Sequence, residues 1–177
     1  MTNKLLEKEI QYLEADELLE LIMEMNTRID DVKVFLDIKF RKIDDLKMLD
    51  ESKRELVKVF KPRGTFMLGN PRISKAKAII KLFKANFPSS FLQQTELYLY
   101  FLELTIGWIT SCNGWYPARY EANAIDILNN MDALYDKIIW PENYTNKLKK
   151  IAQESDDGYC QDIKPKILEF ITEKIES

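Results

Sequence analysis

Apolar residues recur three and four positions apart along most of this chain, and that spacing is typical of the buried face of an α-helix. The clearest stripe lies between Pro117 and Pro141 and consists of Tyr120, Ala124, Ile127, Met131, Leu134 and Ile138. No segment shows the alternation that is expected of a half-buried strand. The pattern therefore predicts an all-α fold of about seven to nine helices, arranged as stacked antiparallel hairpins in a bundle or a short α-solenoid.

Candidate caps divide the first 61 residues into separate helices. The first stripe runs from Leu5 to Leu13, and Asp16 is a candidate N-cap for the second. Thr27 is a candidate cap for a third segment, although one continuous helix from Asp16 fits the same residues. A further helix should end before Pro62, because a residue that precedes proline is disfavoured in the α region.

The second part of the chain begins with a predicted loop at residues 62–69. Asn70 as N-cap and Pro71 as first helical residue are expected to begin a helix that reaches about Asn86. Ser90 and Gln93 then have the spacing of a capping box, at the start of an aromatic helix. A chain of 177 residues is long enough for a single domain, residues 1–177, with 1–61 and 70–177 as alternative sub-units joined by the loop.

Charge is separated along the sequence. Eight basic residues and no acidic residue lie between Glu55 and Glu96, whereas residues 1–56 hold 15 acidic and 10 basic residues. Residues 96–177 are also acidic, and the net charge of the chain is −3. Clustered positive charge on an acidic protein favours anionic partners.

The predicted helix after Pro71 places this charge on one flank. At 100° per residue its apolar side chains face the core, while Lys77, Lys81 and Lys84 lie together beside them. Basic residues from the preceding loop and first turn extend the flank. The candidate anion- or partner-binding residues are Lys61, Arg63, Arg72, Lys77, Lys81 and Lys84.

The basic flank allows two interpretations. Its lysines are either solvated and paired with acids of neighbouring helices, or they remain free to bind a polyanion. In the second case the favoured function is a non-enzymatic module that binds another protein, such as an immunity- or antitoxin-like inhibitor by analogy of size and charge. The alternative is a nucleic-acid-binding module that uses residues 58–84.

Catalytic signatures are missing from the sequence. The chain has no histidine, which removes the usual general base and metal ligand, so an enzyme would depend on carboxylates, tyrosine or lysine. Gly64 and Gly69 have the spacing of a phosphate-binding loop, but Asn70-Pro71 stands where lysine and serine or threonine should follow. Cys112 and Cys160 are interpreted as structural. We therefore expect no enzyme activity, no cofactor and no metal.

The aromatic helix is interpreted as a core helix. Its most apolar window, Leu97 to Cys112, is shorter than a membrane span and contains Glu103, which we expect on the wet edge. The N-terminus lacks the pattern of a signal peptide, so no membrane association and a cytoplasmic location are expected. The aromatic residues of this helix and of the turn after it are expected to lie in the core, in preference to lining a ligand cleft. They are Tyr98, Tyr100, Phe101, Trp108, Trp115 and Tyr116.

One resemblance to known proteins covers most of the chain. It rests on the segment 72–84, on the aromatic helix, and on 144–170 with the turn Asp156-Asp157-Gly158-Tyr159. In these features the chain resembles an uncharacterised bacterial family that is catalogued as a domain of unknown function. The resemblance implies an all-helical fold and a bacterial origin, and it implies no activity.

Overall fold

The structure is a computed structural model that describes residues 3–41, 43–61, 70–112, 117–155 and 162–176. These residues contain no strand, so the prediction of an all-α bundle is confirmed. The last helix continues into a π-helical turn, Ile171–Ile175. The nine α-helices of the described residues are α1 Asn3–Ile10, α2 Ala15–Arg28, α3 Asp30–Arg41, α4 Asp45–Phe60, α5 Ile73–Asn86, α6 Phe91–Ser111, α7 Arg119–Tyr135, α8 Glu142–Glu154 and α9 Ile163–Phe170.

The helices group into two compact units, residues 1–44 and residues 45–177. The first unit contains α1 to α3, and the second contains α4 to α9. Helix α4 packs against α5 and α6, so the elements on both sides of residues 62–69 belong to the second unit. The predicted loop itself lies outside the described residues.

In the first unit, α3 follows α2 after the single residue Ile29, and the two helices contact each other. Helix α2 begins after Glu14, whose backbone N–H donates to Glu17 at 2.9 Å, so the predicted cap at Asp16 is wrong. The hydroxyl of Thr27 donates to the carbonyl of Met23 at 2.7 Å and lies inside α2, so it does not cap α3. The helix is interrupted at Ile29, whose backbone is extended, and this excludes the alternative of one continuous helix.

Helix α6 is the centre of the second unit. Helices α4, α5, α7 and α8 pack against it, and α9 packs against α7 and α8. The sequence explains this position because apolar side chains cover most of the circumference of α6 instead of one narrow stripe. Fully buried side chains of α6 are Leu97, Phe101, Leu102, Ile106 and Ile109.

Aromatic contacts and one buried hydrogen bond join the neighbours of α6. The rings of Phe60 and Phe101 meet edge to face at 5.8 Å, which connects α4 to α6. Trp108 and Tyr120 pack at 4.4 Å between α6 and α7. The hydroxyl of Tyr120 donates to the carbonyl oxygen of Pro71 at 3.2 Å, which fixes the segment before α5 against α7.

Several helix ends differ from the sequence predictions. Helix α5 begins at Ile73, two residues later than expected. Ser90 is the N-cap of α6 but forms no capping hydrogen bond, and the side chain of Gln94 donates to the carbonyl of Phe87 at 2.8 Å. Helix α7 ends at Tyr135, before the end of its predicted stripe. None of the described helices combines the length and the apolarity that crossing a lipid bilayer requires.

Candidate functional site

The basic side chains of α5 stand beside a groove on the second unit. Helix α5 buries Ala76, Ile80 and Phe83 against its neighbours, as the apolar stripe predicts. The lysines on its adjoining flank line a cavity of about 390 Å³, which we name the lysine groove. The residues of the lysine groove are Lys77, Ile80, Lys81, Lys84, Tyr98, Asp126, Ile127, Asn129 and Asn130.

Three helices, α5, α6 and α7, form the lysine groove. Helix α5 supplies a wall of three lysines, and α7 supplies an opposite wall of one carboxylate and two amides. The floor consists of Ile80, Tyr98 and Ile127, whose largely apolar side chains are each at least nine-tenths buried. The lysine groove therefore combines cationic, neutral polar and apolar surface within one concave site.

The positive charge of the lysine groove is only partly neutralised. Lys77 forms an ion pair with Asp126 at 3.2 Å, and both side chains are about half exposed to solvent. Exposed pairs of this kind contribute at most about 1 kcal/mol, so the pair can exchange partners. Among the described residues Lys81 has no ion-pair partner. The ammonium of Lys84 lies 5.7 Å from the ring centre of Tyr98 and also pairs with no described carboxylate.

Hydrogen bonds fix the α7 wall. The side-chain amide of Asn130 donates to the backbone carbonyl of Asp126 at 2.6 Å. Its oxygen accepts the Tyr98 hydroxyl at 3.4 Å, across the floor of the groove. The neighbouring Asn129 is exposed at the rim, where its amide can donate to or accept from a bound chain.

The six candidate residues do not form one continuous patch in the described structure. Lys77, Lys81 and Lys84 lie together in the lysine groove, whereas Lys61 lines a different groove along α4, together with Asp50, Glu51 and Tyr100. Arg72 is exposed immediately before α5 and does not line the lysine groove. Arg63 lies outside the described residues.

A second polar cluster surrounds Tyr100 of α6, which the sequence predicted as core. Tyr100 is half-buried, and the ammonium groups of Lys53 and Lys147 lie 5.7 Å and 5.4 Å from its ring centre. Lys53 of α4 pairs with Glu96, and Lys147 of α8 pairs with Glu103 at 2.8 Å. The spacing of Glu96, Tyr100 and Glu103 places all three on one face of α6, and this signal was available in the sequence.

Tyr144 joins the same cluster from α8. Its hydroxyl donates to the carboxylate of Glu96 at 3.2 Å. Burial raises the pKa of Tyr144 above its ordinary value, and the nearby charge of Glu96 raises it further. The cluster thus connects α4, α6 and α8 through charges at the edge of the core, with Glu103 on the wet edge of α6 as expected.

The remaining candidates for chemistry are the cysteine and the carboxylates. Burial raises the pKa of the Cys112 thiol, with a smaller opposing effect of the hydrogen bond from Ser111, so its thiolate fraction at neutral pH is reduced. No group of three or more acidic or thiol side chains converges on one point in the ranges that the structure covers. The predicted core residues Phe101 and Trp108 are buried; Trp115, Tyr116 and Cys160 lie outside the described residues.

Comparisons with protein-family models, with curated proteins and with solved structures found no significant match. The resemblance to a bacterial family of unknown function therefore stays a prediction.

Proposed function

We propose that this protein is a non-enzymatic interaction module whose lysine groove binds an acidic, amphipathic segment of another protein. The observation that carries the proposal is the combination of a lysine wall with an apolar floor in one concave site. Such a segment would bury its apolar side chains on the floor and direct its carboxylates toward α5. A bacterial, cytoplasmic setting is part of the proposal and rests on the sequence alone.

The floor favours a protein ligand over a nucleic acid. Apolar surface that is removed from water contributes about 25 cal/mol per Å². A peptide would gain this contribution mainly from its own apolar stripe, because Ile80, Tyr98 and Ile127 are already buried. A sugar-phosphate backbone has no comparable apolar stripe, and non-specific nucleic-acid binding depends on spread positive charge.

The lysines supply the selectivity for acidic side chains. Lys81 offers a free ammonium, and Lys84 offers one that is held only by a ring contact. Lys77 would exchange Asp126 for a carboxylate of the ligand, so it adds less to the affinity. We therefore expect Lys81 and Lys84 to contribute most of the electrostatic discrimination.

Binding of designed peptides to the full chain tests the proposal. The Glu/Leu peptide is a synthetic helix of about 18 residues, with leucines on one stripe and glutamates beside them. Its affinity is measured by fluorescence polarisation against the wild type and the double variant Lys81→Glu/Lys84→Glu. We expect the double variant to weaken binding at least about ten-fold, which corresponds to about 1.4 kcal/mol.

Arg72→Glu/Lys75→Glu is the matched control, because it changes the net charge by the same amount and neither residue lines the lysine groove. We expect this variant to bind the Glu/Leu peptide like the wild type. Equal losses of affinity in both variants would show that net charge, and not the lysine groove, determines binding. An absence of binding by the wild type would contradict the proposal. Short RNA and DNA are measured at two salt concentrations in parallel. Salt-sensitive binding that depends on Lys81 and Lys84 would support the nucleic-acid alternative instead.

A further inference from the structure

Helix α2 of the first unit presents a second surface, of opposite charge. Asp16, Leu19, Glu20 and Met23 are spaced three and four residues apart, so they share one face of the helix. Leu19 is 59% exposed and Met23 is 58% exposed. We name these four residues the acidic apolar surface.

The first unit does not bury its own apolar side chains. None of the side chains described between residues 4 and 44 is buried. The apolar side chains of α2 cover an arc of about 200° at 100° per residue, about twice the width of an ordinary amphipathic stripe. Helix α3 is the neighbour that packs against α2 within the unit, and it leaves Leu19 and Met23 largely in solvent. A second packing neighbour is therefore expected.

Charge identifies the chemistry of that neighbour. Residues 1–44 contain 11 acidic and 7 basic residues. Glu24 is engaged by Arg28 at 3.0 Å, whereas Asp16 and Glu20 pair with no described cation. These two carboxylates stand directly beside Leu19 and Met23. A second copy in a symmetric contact would bring the same carboxylates together, which is unfavourable.

We propose that the acidic apolar surface binds a basic amphipathic helix of a partner protein. The apolar stripe of that helix would cover Leu19 and Met23, and its lysine or arginine side chains would pair with Asp16 and Glu20. This inference goes beyond the function proposed above, because it concerns another unit, another surface and a ligand of opposite charge.

The probe for this surface is the Lys/Leu peptide, which has lysines in place of the glutamates of the Glu/Leu peptide. Its binding to the full chain is measured by fluorescence polarisation with the wild type and with Leu19→Glu/Met23→Glu. The two new glutamates would strengthen a purely electrostatic attraction, so a loss of affinity would report the apolar contact. We expect the double variant to weaken binding at least about ten-fold.

Ile139→Glu/Leu168→Glu is the matched control, because these side chains are 96% and 45% exposed and lie in the second unit. We expect it to leave the affinity for the Lys/Leu peptide unchanged or slightly raised. The inference is overturned if the wild type does not bind this peptide, or if the Leu19→Glu/Met23→Glu variant binds it as tightly as the wild type.

Two further measurements test the other ways in which the acidic apolar surface could be covered. If Leu19→Glu/Met23→Glu weakens the binding of the Lys/Leu and Glu/Leu peptides equally, the surface binds apolar side chains without regard to charge and the inference fails. If sedimentation velocity shows a dimer that the same variant dissociates, a second copy covers the surface and the inference is also overturned. Binding of the Glu/Leu peptide that depends on Lys81 and Lys84 tests the lysine groove independently, so either proposal can fail alone.

Discussion

The hydroxyl of Tyr144 shows how burial and charge act on one group. Tyr144 is a buried residue of α8, and its hydroxyl donates a hydrogen bond to Glu96. The same carboxylate forms an ion pair with the ammonium of Lys53. Both the desolvation of the ring and the negative charge of Glu96 disfavour the phenolate, and therefore the pKa of Tyr144 is raised. One hydroxyl thus contributes to the contact between α6 and α8.

Substitution of this tyrosine by phenylalanine measures that contribution. We expect Tyr144→Phe to lower the free energy of unfolding by about 1 kcal/mol, because a buried hydrogen bond to a carboxylate is lost. Denaturant unfolding at pH 8 checks this value. Tyr12→Phe is the control, since Tyr12 is 84% exposed and its loss should change stability by less than about 0.5 kcal/mol. Equal effects of both variants would contradict the assignment.

The stabilisation by Tyr144 should also depend on pH. A raised pKa in the folded state means that this state holds the proton more tightly than the unfolded state, whose tyrosine pKa is about 10. The contribution is therefore complete below about pH 10 and decreases as the pH rises above it. The difference in unfolding free energy between the wild type and Tyr144→Phe should shrink from pH 8 to pH 11. A difference that grows over this range would exclude the raised pKa.

At the scale of the helix, α6 contains one residue that does not suit its position. Gly107 is exposed in the last third of α6, still inside the helix, and a Cβ atom added there would meet no described atom within 4 Å. Glycine in a helix interior costs about 1 kcal/mol relative to alanine, because the unfolded chain gains conformational freedom. The described contacts of the structure therefore do not require glycine at this position.

We expect Gly107→Ala to raise the free energy of unfolding by about 0.5–1 kcal/mol and to raise the melting temperature accordingly. Calorimetry of the full chain measures both quantities. Ala133→Gly is the reverse control, since Ala133 is also exposed within a helix, and it should destabilise the protein by a similar amount. A destabilising Gly107→Ala would show that the position has a packing role.

The helix-forming faces could be predicted from the sequence, but several helix ends could not. The stripe of α7 is buried as expected from Tyr120 to Leu134, because burial of an apolar face follows directly from periodicity. Helix α5 begins two residues after Pro71, whose carbonyl oxygen accepts a hydrogen bond from Tyr120, a residue 49 positions further along the chain. Local capping rules contain no information about such a distant hydrogen bond.

The candidate site was predictable to a similar extent. Periodicity alone placed Lys77, Lys81 and Lys84 on one flank of α5, and the structure brings them together in the lysine groove. The opposite wall, with Asp126 and Asn129, could not be predicted because it depends on how α7 packs beside α6. The sequence also could not show which lysines would find a carboxylate.

At the scale of the whole molecule, the buried core belongs to one unit. Every buried apolar side chain of the described residues lies between Met48 and Ile171, within residues 45–177. Hydrophobic burial is the main favourable contribution to folding, so this unit has the means to fold alone. The first unit is close to the size of about 40 residues below which domains usually need disulfides, metals or partners to fold, and its described side chains form no buried core.

We therefore expect a fragment of residues 45–177 to unfold cooperatively, with a melting temperature within about 5 °C of the full chain, which corresponds to a difference of about 1 kcal/mol. Circular dichroism and calorimetry test this expectation. The fragment 1–44 alone should show much less helix than the corresponding residues in the structure. A fragment 45–177 without a cooperative transition would show that the second unit depends on the first.

The two walls of the lysine groove have a further consequence, because they are unlike. Ammonium groups stand only on α5, while amides and one carboxylate stand on α7. A helix with acidic residues on one side of its apolar stripe can match both walls in one direction only, since reversal of the chain exchanges the two sides. The groove would therefore fix the direction in which a given helix binds, and a helix with the reversed sequence would bind in the opposite direction.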